Sequence, residues 1–203
     1  MSTNPHGVAL APWRVELPAL TARLVTLREV TPEDISAIID LLSVPDASNF
    51  GLDVPVRAAA VERLLADAPR ARAAGTALTW AVVAAGAPRP VGLMQVRQLE
   101  PSFETAEWEC TLSPFARGTG VFLESARLAG SFAFAIVGAY RIEARVLLQN
   151  GRANGALRKL GAVQEGVLRR AVRRGGEYYD QVLWSVLKDD WTARWASPFP
   201  RIH

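Results

Sequence analysis

From Leu20 to Val30 apolar and polar positions alternate. Leu24, Thr26 and Arg28 fall on one side and Val25 and Leu27 on the other, which predicts a first strand. Thr31-Pro32-Glu33-Asp34 then reads as a helix start, with Thr31 as N-cap, Pro32 at the first helical position and acids in the first turn. Ile35, Ile38, Ile39 and Leu42 follow at helical core spacing, and Pro45 ends the element. Residues 45–54 are rich in turn formers and predict a loop. Pro55 opens a second helix that runs to Ala74, with a break or bend at Pro69.

The period then changes. Leu78–Ala85, Pro90–Leu99 and Thr105–Ser113 read as three strands of a meander, separated by turns at Gly86–Arg89 and Glu100–Glu104. Val121–Val137 returns to a helical pattern, with Phe122, Ala126, Ala129, Ala133 and Ile136 on one side and Gly138 at its end. Tyr140–Leu148 is a strand that sets Ile142, Ala144, Val146 and Leu148 against Arg141, Glu143 and Arg145. A helix joining two strands by a short path makes those strands parallel neighbours. A short helix opened by Asn150 and capped by Gly161, then a hairpin spanning Val163–Lys188, complete the order β-α-α-β-β-β-α-β-α-β-β. The expectation is a mixed α/β sheet in one domain over residues 21–188. An irregular arm over 1–20 precedes it, and a tail over 189–203 follows, with Trp191 and Trp195 on one helical face, docked on the domain or on a second subunit.

Composition narrows the chemistry. The chain has 203 residues, half of them hydrophobic, and a formal charge of only +3, which does not mark a nucleic-acid binder. No apolar run approaches the ~20 residues of a membrane span, and the first ten residues lack the pattern of a signal peptide. A cytoplasmic location is the expectation. The single cysteine, Cys110, forms no internal disulfide and reads as a small buried hydrophobe. His6 and His203 stand at opposite termini, so a Ser-His-Asp triad, a Cys-His pair or a His-ligated metal site is not expected.

The candidate chemistry gathers around Ser113–Val121. A strand runs into a glycine turn and the turn into a helix N-terminus. That geometry presents backbone N–H groups at the positive end of a helix dipole, a site suited to phosphate. Gly118 and Gly120 allow close backbone approach or positive φ, and Arg117 adds a cation. No Lys-Ser/Thr follows Gly120, which excludes a Walker P-loop, and the acidic ribose-binding partner of a Rossmann unit is not evident.

Three stretches together resemble the GNAT acetyltransferases, in their RimJ/RimL-like branch: Arg23–Glu29 followed by Thr31, Glu33 and Asp34; the turn Arg117-Gly118-Thr119-Gly120; and Asn150–Ala153, Leu157–Ala162 and Glu165-Gly166. The resemblance spans about Arg23 to Leu187. It implies the GNAT acyl-CoA N-acyltransferase fold, a central, mostly antiparallel, splayed sheet flanked by helices. It also implies transfer of an acetyl group from acetyl-CoA to a primary amine, without a metal. The amine would be a protein N-terminus or a small molecule, and the protein a monomer or homodimer. The pyrophosphate would lie on Arg117, Gly118, Thr119, Gly120 and Val121. The pantetheine arm would pair with backbone at Leu112 and Ser113, and Asn150 would contact the cofactor with Arg158 and Lys159 near the same end. The chain departs from the family at Phe115, where Gln or Arg is frequent, at Leu157, where many members carry a tyrosine acid, and at Ala153, where the branch often has serine. Water, Tyr178 or Tyr179 then remains to protonate the thiolate. An acyl-CoA-binding sensor or scaffold on the same fold is the alternative.

Acetyl transfer needs a neutral amine, hence a carboxylate within reach. Glu107 and Glu109 stand two apart on the strand that enters the turn and share a face. Burial and mutual repulsion would raise one of them from an ordinary value of about 4.3 towards that of a useful base. With Glu100 and Glu104 they form an acidic run that is either a solvated face or an attractor for a cationic amine.

Overall fold

A computed structural model describes residues 11–43 and 58–195. Eight strands form one sheet in the order β1-β2-β3-β4-β5-β6-β8-β7. They are β1 (Leu20–Thr21), β2 (Val25–Glu29), β3 (Ala77–Ala84), β4 (Gly92–Gln98), β5 (Thr105–Leu112), β6 (Arg141–Leu147), β7 (Val163–Arg174) and β8 (Glu177–Leu187). Every neighbouring pair is antiparallel except β5 and β6, the parallel neighbours that the crossover helix requires.

Helices cover both faces. On one side α4 (Val121–Phe132), α5 (Gly151–Leu160) and α6 (Lys188–Arg194) enclose the larger core, in which Trp80 meets Phe132 edge-on at 5.9 Å and Trp108 meets Trp191 at 6.1 Å. On the other side α2 (Ile35–Leu42) and α3 (Ala58–Ala74) bury Ile38, Leu42, Val61 and Leu65 against Ala81 and Leu93. Each such fully buried side chain contributes roughly 1.5–3 kcal/mol, so the sheet is held from both faces.

The helix start at Thr31 forms as the sequence indicates. Asp34 accepts the Thr31 N–H at 2.9 Å and a paired contact from Arg28, whose Nη1 and Nη2 each donate at 2.7 Å. Three local expectations change. Pro69 lies inside α3 without ending it. The helix after the glycine turn is α-helical only to Phe132 and ends in a π turn, Ala133–Val137, in which the Gly138 N–H donates to the Ala133 carbonyl at 3.0 Å. Residues 11–20 are not irregular throughout: Pro12–Val15 forms α1, and Trp13, Leu17 and Leu20 join the core. The expected loop over 45–54 and the Pro55 helix start lie outside the described residues. At the other end Trp191 is buried, and its ring N–H donates to Ser131 on α4 at 3.0 Å.

Candidate active site

The sheet opens at its one parallel seam. β5 and β6 stay in register only for Thr105↔Arg141, Ala106↔Ile142 and Glu107↔Glu143. Beyond that point β5 continues to Leu112 beside β4 and β6 continues to Leu147 beside β8, so the two strands part. The Ser113 N–H donates to the Val91 carbonyl at 2.8 Å, which fixes the phase of the ladder. In an antiparallel pair the groups alternate, so the N–H and C=O of Cys110 and the N–H of Leu112 point into the gap. This corrects the expectation for pantetheine pairing. Ser113 has its N–H committed to β4, and the Leu112 carbonyl already accepts Arg117 Nε at 3.0 Å. The Ser113 hydroxyl is buried with no hydrogen-bond partner among the described residues, and Ser113 lines a cleft beside α2 with Leu41, Pro90 and Phe115.

The gap leads into the turn. Gly118 and Gly120 have φ of +84° and +92°, in the left-handed region that side chains rarely adopt. Gly120 is the residue immediately before α4, so the first N–H groups of that helix, from Val121 onward, emerge at the turn. A Cβ on Gly120 would meet Leu24 Cδ1 at 3.0 Å, whereas one on Gly118 would meet nothing within 4 Å, so the outer side of the turn is open. The Thr119 hydroxyl donates to the Ala116 carbonyl at 2.7 Å and closes the turn on itself. Arg117 is drawn back toward β5 by its bond to Leu112 rather than extended from the turn.

Asn150 caps α5: its side-chain oxygen accepts the Ala153 N–H at 3.1 Å, and its amide nitrogen remains for other contacts. Arg158 and Lys159 do not share that end. They occupy the last turn of α5, about 12 Å along the helix axis from Asn150, where Arg158 lies over the Trp184 ring at 5.6 Å and the Lys159 carbonyl accepts Arg194. The departures from the family pattern are also clear in place: Leu157 is buried in the core and Phe115 is 75% exposed. Tyr178 and Tyr179 stand on the end of the β7–β8 hairpin that projects past the β6 pairing, and Tyr179 donates to Glu177 at 2.9 Å.

The carboxylates lie on the α2/α3 face of β5. Register places Leu93 opposite Thr111, so Thr111, Glu109 and Glu107 share the face of Leu93 and the smaller core. Glu107 is nearly fully buried. Arg97, its cross-strand partner, donates to Glu107 Oε2, and Arg145 Nε lies 4.0 Å from Oε1. Glu109 faces Gln95, whose side-chain amide is taken up by Thr79 at 3.0 Å. Burial, then the charge of Glu107, pushes the Glu109 carboxyl up to about 7, against a smaller lowering by Arg97. Glu109 makes no hydrogen bond among the described residues. Glu100 and Glu104 are exposed in the turn and at its junction with β5, at the far end from the glycine turn, so the four acids of the sequence run do not form one face.

Sequence reasoning missed the partners of these acids. Arg97, Glu143 and Arg145 lie on the same polar face, and the chain of charges extends through Arg141 to Glu165, whose carboxyl that arginine and Ser185 hold down at about 2. Strand alternation put Glu143 and Arg145 on one face of β6, but only register brings that face beside Glu107. Asn154 was missed as well: it bridges the end of β6 to the core, donating to the Leu147 and Asn150 carbonyls and accepting the Trp184 ring N–H at 2.8 Å. Among the described residues no group of His, Cys, Asp or Glu side chains is arranged to hold a metal ion. No described helix is long and apolar enough to cross a membrane.

A mixed sheet parted at one parallel seam, with a glycine turn and helix N-terminus at its mouth, defines an acyltransferase scaffold. The family model for the acetyltransferase (GNAT) domain matches residues 24–163, and the chain belongs to that family. It is 25% identical to the spermidine N(1)-acetyltransferase of Escherichia coli over 107 residues, 53% of this chain and 58% of that enzyme, so the match spans little more than half of the relative. It is 24% identical to the N-acetyltransferase YoaA of Bacillus subtilis over 84% of this chain and 97% of that one. Among solved structures, Mycobacterium smegmatis RimJ in complex with CoA-disulfide shares the fold with a TM-score of 0.70 at 18% identity, covering 87% of this chain and 93% of its own. Vibrio cholerae SpeG, a spermidine/spermine N-acetyltransferase, does so with 0.68 at 20%, covering 84% and 96%.

Proposed function

We propose that this N-acetyltransferase uses acetyl-CoA as donor and a primary amine as acceptor, by direct attack in a ternary complex. The observation that carries this reading is the coincidence of the β5–β6 gap, the open turn at Gly118–Val121 and the half-buried Glu109 of β5. The pyrophosphate lies on the N–H groups of the turn, and the pantetheine arm runs down the gap beside Leu112. The thioester then sits near Cys110, whose N–H is placed to donate to the developing oxyanion. Glu109, with a proton affinity matched to neutral pH, takes a proton from the acceptor ammonium directly or through water. The amine nitrogen forms the new bond to the carbonyl carbon and gives up its second proton to solvent as the amide forms, the C–S bond breaks, and the thiolate takes a proton from solvent, since Leu157 offers none.

Calorimetric titration with acetyl-CoA and CoA, followed by thiol release with a panel of amines, tests the reading. Micromolar binding and amine-dependent thiol release are expected. Binding without turnover of any amine would turn the assignment to the sensor or scaffold. No binding to a folded protein would end the cofactor assignment.

A further inference from the structure

The acceptor face of the site is layered by charge. The carboxylates lie beneath and the guanidiniums above: the Glu107 side chain is 4% exposed and that of Glu143 12%, whereas Arg97 and Arg145 are 41% and 40% exposed. The two arginines are not equally engaged. Arg97 donates to Glu107. Arg145 stands 4.0 Å from Glu107 and 3.6 Å from Glu143, close enough for attraction, yet it makes no hydrogen bond among the described residues. Its planar fork of donors is therefore available, and such a fork matches a carboxylate in two parallel hydrogen bonds. Continuing the Glu107↔Glu143 register places Arg145 level with Glu109, on the same face but across the gap where the strands part. Glu109 and Arg145 thus flank the position that the thioester takes in the proposed complex.

Resting on the acetyltransferase reading above, we infer that the acceptor is an amine bearing a carboxylate a few bonds away, an amino acid rather than a polycation. Arg145, aided by the remaining donors of Arg97, holds the carboxylate and turns the amine toward Glu109. A polyamine meets the opposite arrangement. Arg97 pairs with Glu107 and Arg141 with both Glu143 and Glu165, so among the described residues of this face Glu109 is the acid without a salt bridge to offer a second ammonium. Like charges placed against exposed arginines oppose binding.

Steady-state thiol release with glycine, glutamine and phenylalanine, each beside its α-amide, and with spermidine, tests this. The amide has the less basic amine and reacts faster on intrinsic grounds, so preference for the free acid reports on recognition of the carboxylate. At least a tenfold higher kcat/KM for the acid over its amide is expected for one or more pairs. Arg145→Gln, which removes the charge and the fork but keeps a polar side chain, should bring the ratio within threefold of unity with acetyl-CoA affinity unchanged, and Arg145→Lys should retain much of it. Preference for spermidine or the amides in the native protein, or an undiminished ratio in Arg145→Gln, would overturn the inference while leaving the acetyltransferase standing. Acetyl-CoA binding without turnover of any amine would overturn it too, and absence of acetyl-CoA binding would remove both.

Discussion

The turn at Arg117–Val121 and the polar face of β5 are neighbours along one strand, but one is built of backbone and the other of side chains. At the turn, positive φ at Gly118 and Gly120 aims main-chain N–H groups outward, and the one arginine folds back onto β5. On the polar face side chains set the charge: Glu109 is governed by burial, by Glu107 two residues away and by Arg97 from β4, while Arg145 from β6 lies against Glu107. A backbone site depends on conformation and tolerates changes in the surrounding side chains. A side-chain site depends on register, and each charge in it alters the next.

Substitutions can separate the two. The largest effect is expected from Gly120→Glu, which forces a side chain into the left-handed region, presses on Leu24 and places a negative charge at the proposed phosphate site. Calorimetry should show a loss of acetyl-CoA affinity of about a thousandfold, roughly 4 kcal/mol, in a protein that still melts cooperatively. Retained affinity would show that the turn does not hold the cofactor. Next comes Glu109→Gln, expected to lower kcat by about a hundredfold or more with acetyl-CoA affinity within twofold of native. The native rate should rise with pH through about 7 as Glu109 loses its proton, and the variant should lack that limb. A full-strength limb in the variant would exclude Glu109 as the base.

Stability should carry the same signature with the opposite sign. A carboxyl at about 7 in the folded chain, against an ordinary 4.5, binds its proton more tightly folded than unfolded. Its contribution is therefore complete below pH 4.5 and is lost as pH rises through about 7, by roughly 2 kcal/mol once solvent screening is allowed for. Denaturant melts should show Glu109→Gln gaining on the native protein between pH 5 and 8, and parallel curves would mean that Glu109 is not perturbed. The smallest effect is expected from Glu107→Gln. Burial of Glu109 remains, the neighbouring charge goes, and the pH limb moves lower with less than a tenfold change in maximal rate. An unmoved limb would show that the two carboxylates do not communicate.

The same division decided what could be read from the chain. The strand at Val25–Glu29, the capped start at Thr31, the meander and the parallel crossover are local or follow from short connections, and their signals lie in the period and the caps. The glycine turn was legible for the same reason. Arg97 and Arg145 were not, because their meaning depends on which residue lies opposite on another strand, and a one-residue slip would have sent both to the other face. Arg158 and Lys159 show the converse error. The family resemblance implied an end shared with Asn150, and a ten-residue helix carried them to the opposite one. Pro69 passed inside α3 because packing against the smaller core outweighed a local breaker.

The short parallel seam has a consequence for how the molecule comes apart. Three register pairs join the block of β1–β5 to the block of β6–β8, while every other central seam is longer. The ligand-free protein is therefore two mechanical halves sharing a weak weld, held together mainly by α4 and α5 across the larger core. On the proposed reading, a cosubstrate lying in the gap would add backbone bonds to β5 and extend that weld. Saturating acetyl-CoA should then do more than raise Tm by mass action: amide exchange should slow at Cys110 and Leu112 and along the β5-facing edge of β6, and the two halves should unfold as one.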